Sequence, residues 1–391
     1  MKAIAFVLRG CPAGWLGPYG NEWVVTPNLD RLAAEGVVFD QHFARRPGER
    51  IDWRTPTVRE GVTPGLTPSL TVGVRPHIIV RANHADTDAP PNYYAAWGEV
   101  FDARPQPDDD SPLENLLRTL PALLDRLTTS PDWFVCVETD YLLPPWDVSH
   151  EVFAAYLADP EEEEAHVSDV EYEGDEPAAE VAPEEAATPW FDPPTGPLDA
   201  ADPDAREWLH TTFAAVVTKL DAELGELFEV LRERGLDRSA AWAVTSDFGY
   251  PLGEHGSVGL HQPHLHEELV HLPLIVRLPG GAEAGRRIPA ITQPADTLTA
   301  IEALTRGEAV AGREFAVSVM GAEAAIRTPE WALLLRAEGE PLLFEKPDDR
   351  WEVNDLRARH VELAEELEQK LKEAITPQMN TEDHRPDQTH A

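Results

Sequence analysis

Cysteine is nearly missing from this chain of 391 residues: Cys11 and Cys136 are the only two. Two thiols cannot build a disulfide framework, and their spacing matches no zinc motif. Long apolar runs are missing too, since none approaches the roughly 20 residues that a membrane helix needs. The opening Met1–Arg9 has an apolar run too short for a secretory leader, with no small-residue cleavage site after it. It reads as a buried first strand, and the chain is expected in the cytoplasm. Basic residues are scarce: 32 Lys and Arg against 71 Asp and Glu leave a net charge of −39. Nucleic acid and anionic membrane surfaces repel such a chain, so neither is an expected partner.

The negative charge is uneven. Residues 158–204 hold 17 acidic side chains and no Lys or Arg; subtracting them from −39 leaves −22 for the rest. That stretch is rich in Glu, Asp, Pro and Ala and has few large apolar groups, so burial cannot offset its ordering entropy. It is expected to be a disordered or loosely held insertion, either a solvated spacer or a docking segment for a basic partner. Hydrophobic residues make up 42% of the chain, enough for a sizeable core.

Around the insertion, strands alternate with helices. Ala3 to Leu8 is continuously apolar, as in a strand covered on both faces. Thr26-Pro27 opens a helix with Thr as N-cap and Pro at the first position. Leu29, Leu32 and Ala33 share its inner face, Gly36 ends it, and Val37 to Phe39 resumes as a strand. Ile78 to Val80 and Trp133 to Val137 are further buried strands. From about Arg206 to Arg234, Phe213, Val216, Val217, Leu220, Leu224, Leu227, Phe228 and Leu231 recur at three- and four-residue spacing, which predicts one long amphipathic helix stopped by Gly235. Ala240 to Val244 is a strand, His271 to Leu278 another, and Pro294 to Leu304 a helix. Trp331 to Leu335 and Leu342 to Phe344 read as strands, His360 to Ile375 as a helix, and the chain frays beyond about Thr376.

Several segments carry a family resemblance in the right order. Leu16-Gly17-Pro18-Tyr19-Gly20 with Thr26-Pro27-Asn28-Leu29-Asp30-Arg31-Leu32 through Phe39 resembles the opening of sulfatases, members of the alkaline-phosphatase-like superfamily. Thr245-Ser246-Asp247-Phe248-Gly249 followed by Leu252-Gly253-Glu254-His255-Gly256 is similar to their second metal-site segment, and Pro273 to Val276 and Pro279-Gly280 continue it. Ala325 to Thr328 and Glu352 to Leu356 resemble the closing sheet and helix. The resemblance covers about residues 1–60 and 206–375 and is weak between. It implies an α/β sandwich over residues 1–305, with a mixed central sheet covered by helices. A small antiparallel sheet with one helix follows over 306–376, and a tail at 377–391.

The resemblance also implies a chemistry that these residues do not supply. A sulfatase holds a divalent cation, usually calcium, with four oxygen-bearing ligands. Its nucleophile is a Cys or Ser converted to formylglycine within a Cys/Ser-x-Pro-x-Arg motif. The two aspartates that close the family's first strand correspond to Arg9 and Gly10. Asp247 is retained at the second segment, but its neighbour is Phe248, which has no ligand atom. The family's lysine after that segment corresponds to Leu260. Between Phe39 and Pro64 there is neither Cys nor Ser, and Thr55-Pro56-Thr57 follows Arg54, so the nucleophile motif is missing. No bound metal or other cofactor is therefore expected.

Arg9, His255 and His261 are candidate anion contacts. His255, His261, His264, His266 and His271 fall within 17 residues and also fit an adventitious metal site or residual surface histidines. Trp146 after Pro144-Pro145 resembles the family's mid-domain loop and equally fits a packed aromatic corner. Three functional readings stay open: a degenerate sulfatase with a binding or regulatory role for a sulfated or phosphorylated small ligand, a sulfuric- or phosphoric-ester hydrolase with an altered site, and an acidic interaction protein working through residues 158–204. In the first reading Arg9 and Asp247 face each other across the vacated cation site. They are expected to form an ion pair or a one-water bridge, with Phe248 filling the remaining volume.

Overall fold

The first strand shows how the sheet is covered. β1 (Lys2–Leu8) sends Ile4, Phe6 and Leu8 into one core and Ala3, Ala5 and Val7 into another on the opposite face. Both of its faces are buried, which is why its sequence is apolar without alternation. The computed structural model describes residues 1–51, 53, 77–83, 89, 93–157, 188–198, 203–260 and 265–382. After β1 come α1 (Pro27–Ala34), β2 (Val37–His42), β3 (His77–Arg81), β4 (Glu99–Asp102), α2 (Glu114–Leu127) and β5 (Trp133–Thr139). The central part continues with β6 (Gly196–Pro197), α3 (Pro203–Glu233), β7 (Ala241–Thr245), β8 (Ser257–Val258), β9 (Leu274–Arg277), β10 (Arg286–Thr292) and α4 (Thr297–Thr305). The chain closes with β11 (Ala316–Met320), β12 (Glu323–Arg327), β13 (Trp331–Leu335), β14 (Leu342–Glu345) and α5 (Val361–Glu382).

The large sheet has eight strands in the order β10-β2-β9-β7-β1-β5-β3-β4. β9 runs antiparallel to β2 and β7, and the other pairings are parallel, so the sheet is mixed. α1, α2 and α3 cover the face that receives Ile4, Phe6 and Leu8; α4 covers the other through Leu298, Ile301 and Leu304. β11 to β14 form a four-stranded antiparallel sheet in chain order. One of its faces packs on the body through Ala325, Leu334 and Phe344, the other on α5 through Ile326, Leu333, Leu367 and Leu371.

Local details depart from the sequence reading for physical reasons. Thr26 precedes α1, but its side chain does not cap the helix; its Oγ1 accepts from the Gly17 N–H at 3.1 Å. The free N–H groups of Asn28 and Leu29 donate instead to the Asp221 carboxylate of α3, at 3.0 and 2.8 Å, so the cap comes from 193 and 192 residues away. Gly36 follows α1 without a left-handed turn: a Cβ there would lie 2.8 Å from the Val276 carbonyl oxygen, so the close approach of β9 is what requires glycine. The strand expected from His271 begins only at Leu274, because Glu267–Val270 is a helical turn and Pro273 has no N–H to give a ladder. α2 was not singled out; Pro121 interrupts a pattern in which Leu116, Leu120, Leu123, Leu124 and Leu127 are buried.

The expected loose insertion lies outside the described residues at 158–187 and 199–202. Residues 188–198 are held to the body, which corrects the boundary of that reading. Trp190 N–H donates to Thr212 Oγ1 at 3.1 Å, Trp208 Nε1 to the Thr188 carbonyl at 2.9 Å, and β6 pairs with β8. Trp190, packed against the core, supplies apolar surface that the composition of the whole stretch concealed. The final helix continues to Glu382, past the end expected near Ile375, and the tail from 383 lies outside the described residues.

Candidate functional site at the carboxyl ends of the parallel strands

β3, β5, β1 and β7 run parallel, so their carboxyl ends share one edge of the sheet. In open α/β sheets this is the edge at which ligands bind. Arg9 and Gly10 leave β1 there, and Ser246, Asp247 and Phe248 leave β7. Backbone bonds tie the two turns together: Arg9 N–H donates to the Thr139 carbonyl at 2.9 Å, Cys11 N–H to Ser246 Oγ at 3.3 Å, and Gly10 bridges Gly249. Ser246 Oγ in turn donates to the Phe248 carbonyl at 2.6 Å. Gly249 could be no other residue, because a Cβ there would lie 2.0 Å from the Glu268 carbonyl oxygen.

Arg9 and Asp247 meet at this edge. Arg9 Nε donates to Asp247 Oδ2 at 2.7 Å, and both residues are 2% exposed. The guanidinium carbon sits 5.4 Å from the centre of the Phe248 ring, so Phe248 packs against the pair it was expected to accompany. Asp247 Oδ1 has no hydrogen-bond partner among the described residues. Burial pushes the Asp247 carboxyl upward, against the pull of Arg9 and Arg50, and the upward push wins.

A second pair, which the sequence reading missed, stands beside the first. Glu138 on β5 is fully buried, forms an ion pair with Arg50 and accepts from the Tyr93 hydroxyl. Burial raises its carboxyl as well, outweighing Arg50 and Tyr93. Asp247 pushes the Glu138 carboxyl up and Arg9 pulls it down, while Arg50 pulls the Asp247 carboxyl down. The four groups therefore form one electrostatic cluster, two guanidinium ions against two carboxylates. The available signal was Glu138 itself, a carboxylate directly after the apolar run Trp133 to Val137. Both thiols are buried and unpaired: Cys136 lies on β5 and Cys11 follows β1.

The other candidate residues are elsewhere or differently engaged. His255 Nδ1 lies 2.7 Å from Glu268 Oε1, and its ring stacks on His266 at 3.7 Å between centroids. His266 Nδ1 lies 2.8 Å from Glu352 Oε2. Leu260 is exposed on the turn after β8. His261 and His264 lie outside the described residues, as does Thr55-Pro56-Thr57. Trp146 is 2% exposed, donates through Nε1 to the Leu142 carbonyl at 2.9 Å, and packs on Phe213 and Tyr250, so it forms a packed aromatic corner.

The residues at the family's cation position do not fit a calcium ion. A hard divalent cation needs several oxygen ligands. Here a guanidinium occupies the carboxylate that would hold it, and Gly10 and Phe248 bring no ligand atom. A divalent cation there would face two buried arginines, Arg9 and Arg50.

Comparison with known proteins agrees with the architecture. The family model described as Sulfatase matches residues 77–307, more than half of the chain. It spans the middle of the chain, where the resemblance read from motifs was weakest. Human iduronate 2-sulfatase is 24% identical over 342 residues, 72% of this chain and 61% of that protein. The mouse iduronate 2-sulfatase is 24% identical over 331 residues, 68% and 57% of the two chains. The chain thus spans less than two-thirds of the length of these relatives. Among solved structures, the phosphonate monoester hydrolase of Agrobacterium radiobacter superposes with a TM-score of 0.65 at 16% identity, covering 95% of both chains. A putative sulfatase from Bacteroides fragilis gives 0.64 at 15% identity, covering 96% of this chain and 95% of that one. Ordered sequence segments, the mixed sheet with its small antiparallel partner, and the family match together make this chain a member of the sulfatase family.

Proposed function

We propose that this chain is a degenerate sulfatase that binds a ligand and does not hydrolyse sulfate esters. The observation that carries the reading is the buried Arg9–Asp247 pair at 2.7 Å. By the family resemblance, a fixed positive side chain then takes the part of the family's cation. The missing nucleophile motif supports the same reading, since both the covalent and the main electrostatic contribution to catalysis would be lost. The role left to the fold is binding or regulation through a sulfated or phosphorylated small ligand, with nucleic acid and membranes excluded by charge. Two buried free thiols support a cytoplasmic setting. Among the described residues no helix is long and apolar enough to cross a membrane.

The test is aryl-sulfate hydrolysis with calcium supplied, by protein co-expressed with and without a formylglycine-generating enzyme. No turnover above background is expected in either preparation. Turnover that Asp247→Ala abolishes would overturn the reading and favour the altered-site hydrolase suggested by the names of the relatives.

A further inference from the structure

Two histidines meet face to face where the α/β body joins the small sheet. His255 stands on the turn before β8, and His266 opens the helical turn Glu267–Val270. Their rings lie 3.7 Å apart between centroids and within 9° of parallel. Each ring has its own carboxylate: His255 Nδ1 lies 2.7 Å from Glu268 Oε1, and His266 Nδ1 lies 2.8 Å from Glu352 Oε2. The other nitrogen of His255 also faces an acceptor, the Glu352 carbonyl at 3.4 Å. An imidazole with an acceptor at both nitrogens satisfies both only as the doubly protonated cation. The geometry therefore places a positive charge on His255 and an N–H of His266 on Glu352.

Glu352 ties the small sheet's chain to this pair. It follows β14, is 2% exposed and has a φ of +52°, a left-handed conformation that a glutamate holds only where its surroundings impose it. Its Oε1 accepts from Arg327 of β12 at 3.0 Å and lies 3.2 Å from Lys346. On the body side, the Gly249 N–H donates to the Leu269 carbonyl at 2.8 Å. The turn that carries His266 and Glu268 is thus the one packed on the Asp247–Gly249 segment. Two further acids stand nearby. Glu267 lies 3.4 Å from both Lys346 and His271, and Glu254 is raised to about 7 by burial and by the charge of Glu268. Phe344 of β14 packs on His266 with ring centres 5.8 Å apart. Among the described residues no three ligating side chains are grouped to hold a metal ion.

Burial works against a proton on either ring. At His255, Glu268 and Glu352 outweigh it, and the ring is raised above its ordinary value. At His266, burial with His255 beside it outweighs Glu352 and Glu268, and the ring is lowered. Two like charges this close inside a protein repel strongly. The pair therefore takes one proton readily and a second only by breaking the stack. We propose that the His255–His266 stack is a pH-sensitive latch: it holds the small sheet on the body while the two rings carry one positive charge, and releases it when His266 takes a second. The signs follow by linkage. His266, lowered in the folded state, contributes stability that is lost as pH falls below its unfolded value near 6.5; His255, raised, contributes stability that is present below that value and lost as pH rises above it. The latch assumes nothing about turnover at the Arg9 cluster, so it stands or falls separately from the hydrolysis assay.

The test is hydrogen exchange of the full chain read by mass spectrometry at pH 6.5 and pH 5, corrected for intrinsic exchange rates. Peptides spanning residues 265–272 and 350–356 should lose protection about tenfold at the lower pH, while one spanning β1 keeps it. His266→Gln retains a donor for Glu352 and cannot take the proton, so its two peptides should be equally protected at both pH values. Glu254→Gln and His271→Gln change the neighbouring ionisable groups and should leave the parent's loss intact. Equal protection of the parent at the two pH values, a measurement that needs no variant, would overturn the proposal. So would a loss that persists in His266→Gln or one abolished by Glu254→Gln or His271→Gln. A parallel loss in β1 would also overturn it, because it marks general acid unfolding.

Discussion

Replacing Arg9 by Met keeps the length and apolar stem of the side chain and removes its charge and donors. Asp247 is then left as a buried carboxylate 2% exposed, with its bonded oxygen Oδ2 deprived of the Arg9 partner at 2.7 Å. Two unit charges about 4 Å apart in a medium of effective dielectric near 20 interact by about 4 kcal/mol. Removing one partner of a buried pair costs about 3–5 kcal/mol. Arg9→Met and Asp247→Asn should therefore each cost about 3–5 kcal/mol, a third or more of the roughly 10 kcal/mol typical of a folded domain. The double variant leaves no unpaired charge, so it should cost less than the sum of the two by about 2 kcal/mol or more. The assay is urea unfolding followed by tryptophan fluorescence and far-UV circular dichroism.

The Arg9→Met variant also carries a pH signature. Burial already raises the Asp247 carboxyl in the presence of Arg9, and losing Arg9 raises it further. A carboxyl that holds its proton in the folded state and loses it in the unfolded state makes stability fall as pH rises above the unfolded value of about 4. The deficit of Arg9→Met relative to the parent should thus grow from about pH 4 toward neutrality. Strict additivity of the two single changes, or a deficit independent of pH, would refute the account of an ion pair in place of the cation.

Other outcomes follow from single contacts. Gly249→Ala should cost about 3 kcal/mol or more in urea unfolding, because its Cβ meets backbone at 2.0 Å. Gly256→Ala, with nothing within 4 Å but a positive φ of 77°, should cost only about 1–2 kcal/mol. Asp221→Ala removes the acceptor for the Asn28 and Leu29 N–H groups and should cost about 2 kcal/mol in the same assay. Burial alone would raise Glu352, but Arg327, His266 and Lys346 outweigh it and hold its carboxyl at about 2. Its contribution is fully present above the ordinary value near 4.5 and is lost as pH falls toward 2, so Glu352→Gln should flatten the acid limb of the stability-versus-pH curve.

Much of the body was legible because its signals are local. β1, β5 and β7 announce themselves as apolar runs, and α3 as a three- and four-residue apolar spacing carried to Gly235. That Arg9, Gly10 and Phe248 carry no carboxylate is likewise a matter of residue type. Elements with conflicting local signals were the ones missed: α2 contains Pro121, and residues 188–198 hide Trp190 in an acidic, proline-rich stretch.

Sequence by itself determined that an acidic chain with a sulfatase-like order of segments would build a covered mixed sheet, and it set the expectation that the family's cation ligands and nucleophile are missing. Only the tertiary structure decided which buried groups meet. Arg9 and Asp247 are 238 positions apart, Arg50 and Glu138 are 88 apart, and the cap of α1 comes from Asp221 on α3. Hydrophobic periodicity is read over a few residues because one helix turn or one pleat sets it. The pairing of buried charges is set by which strand ends the sheet order brings together, and no local pattern encodes that order.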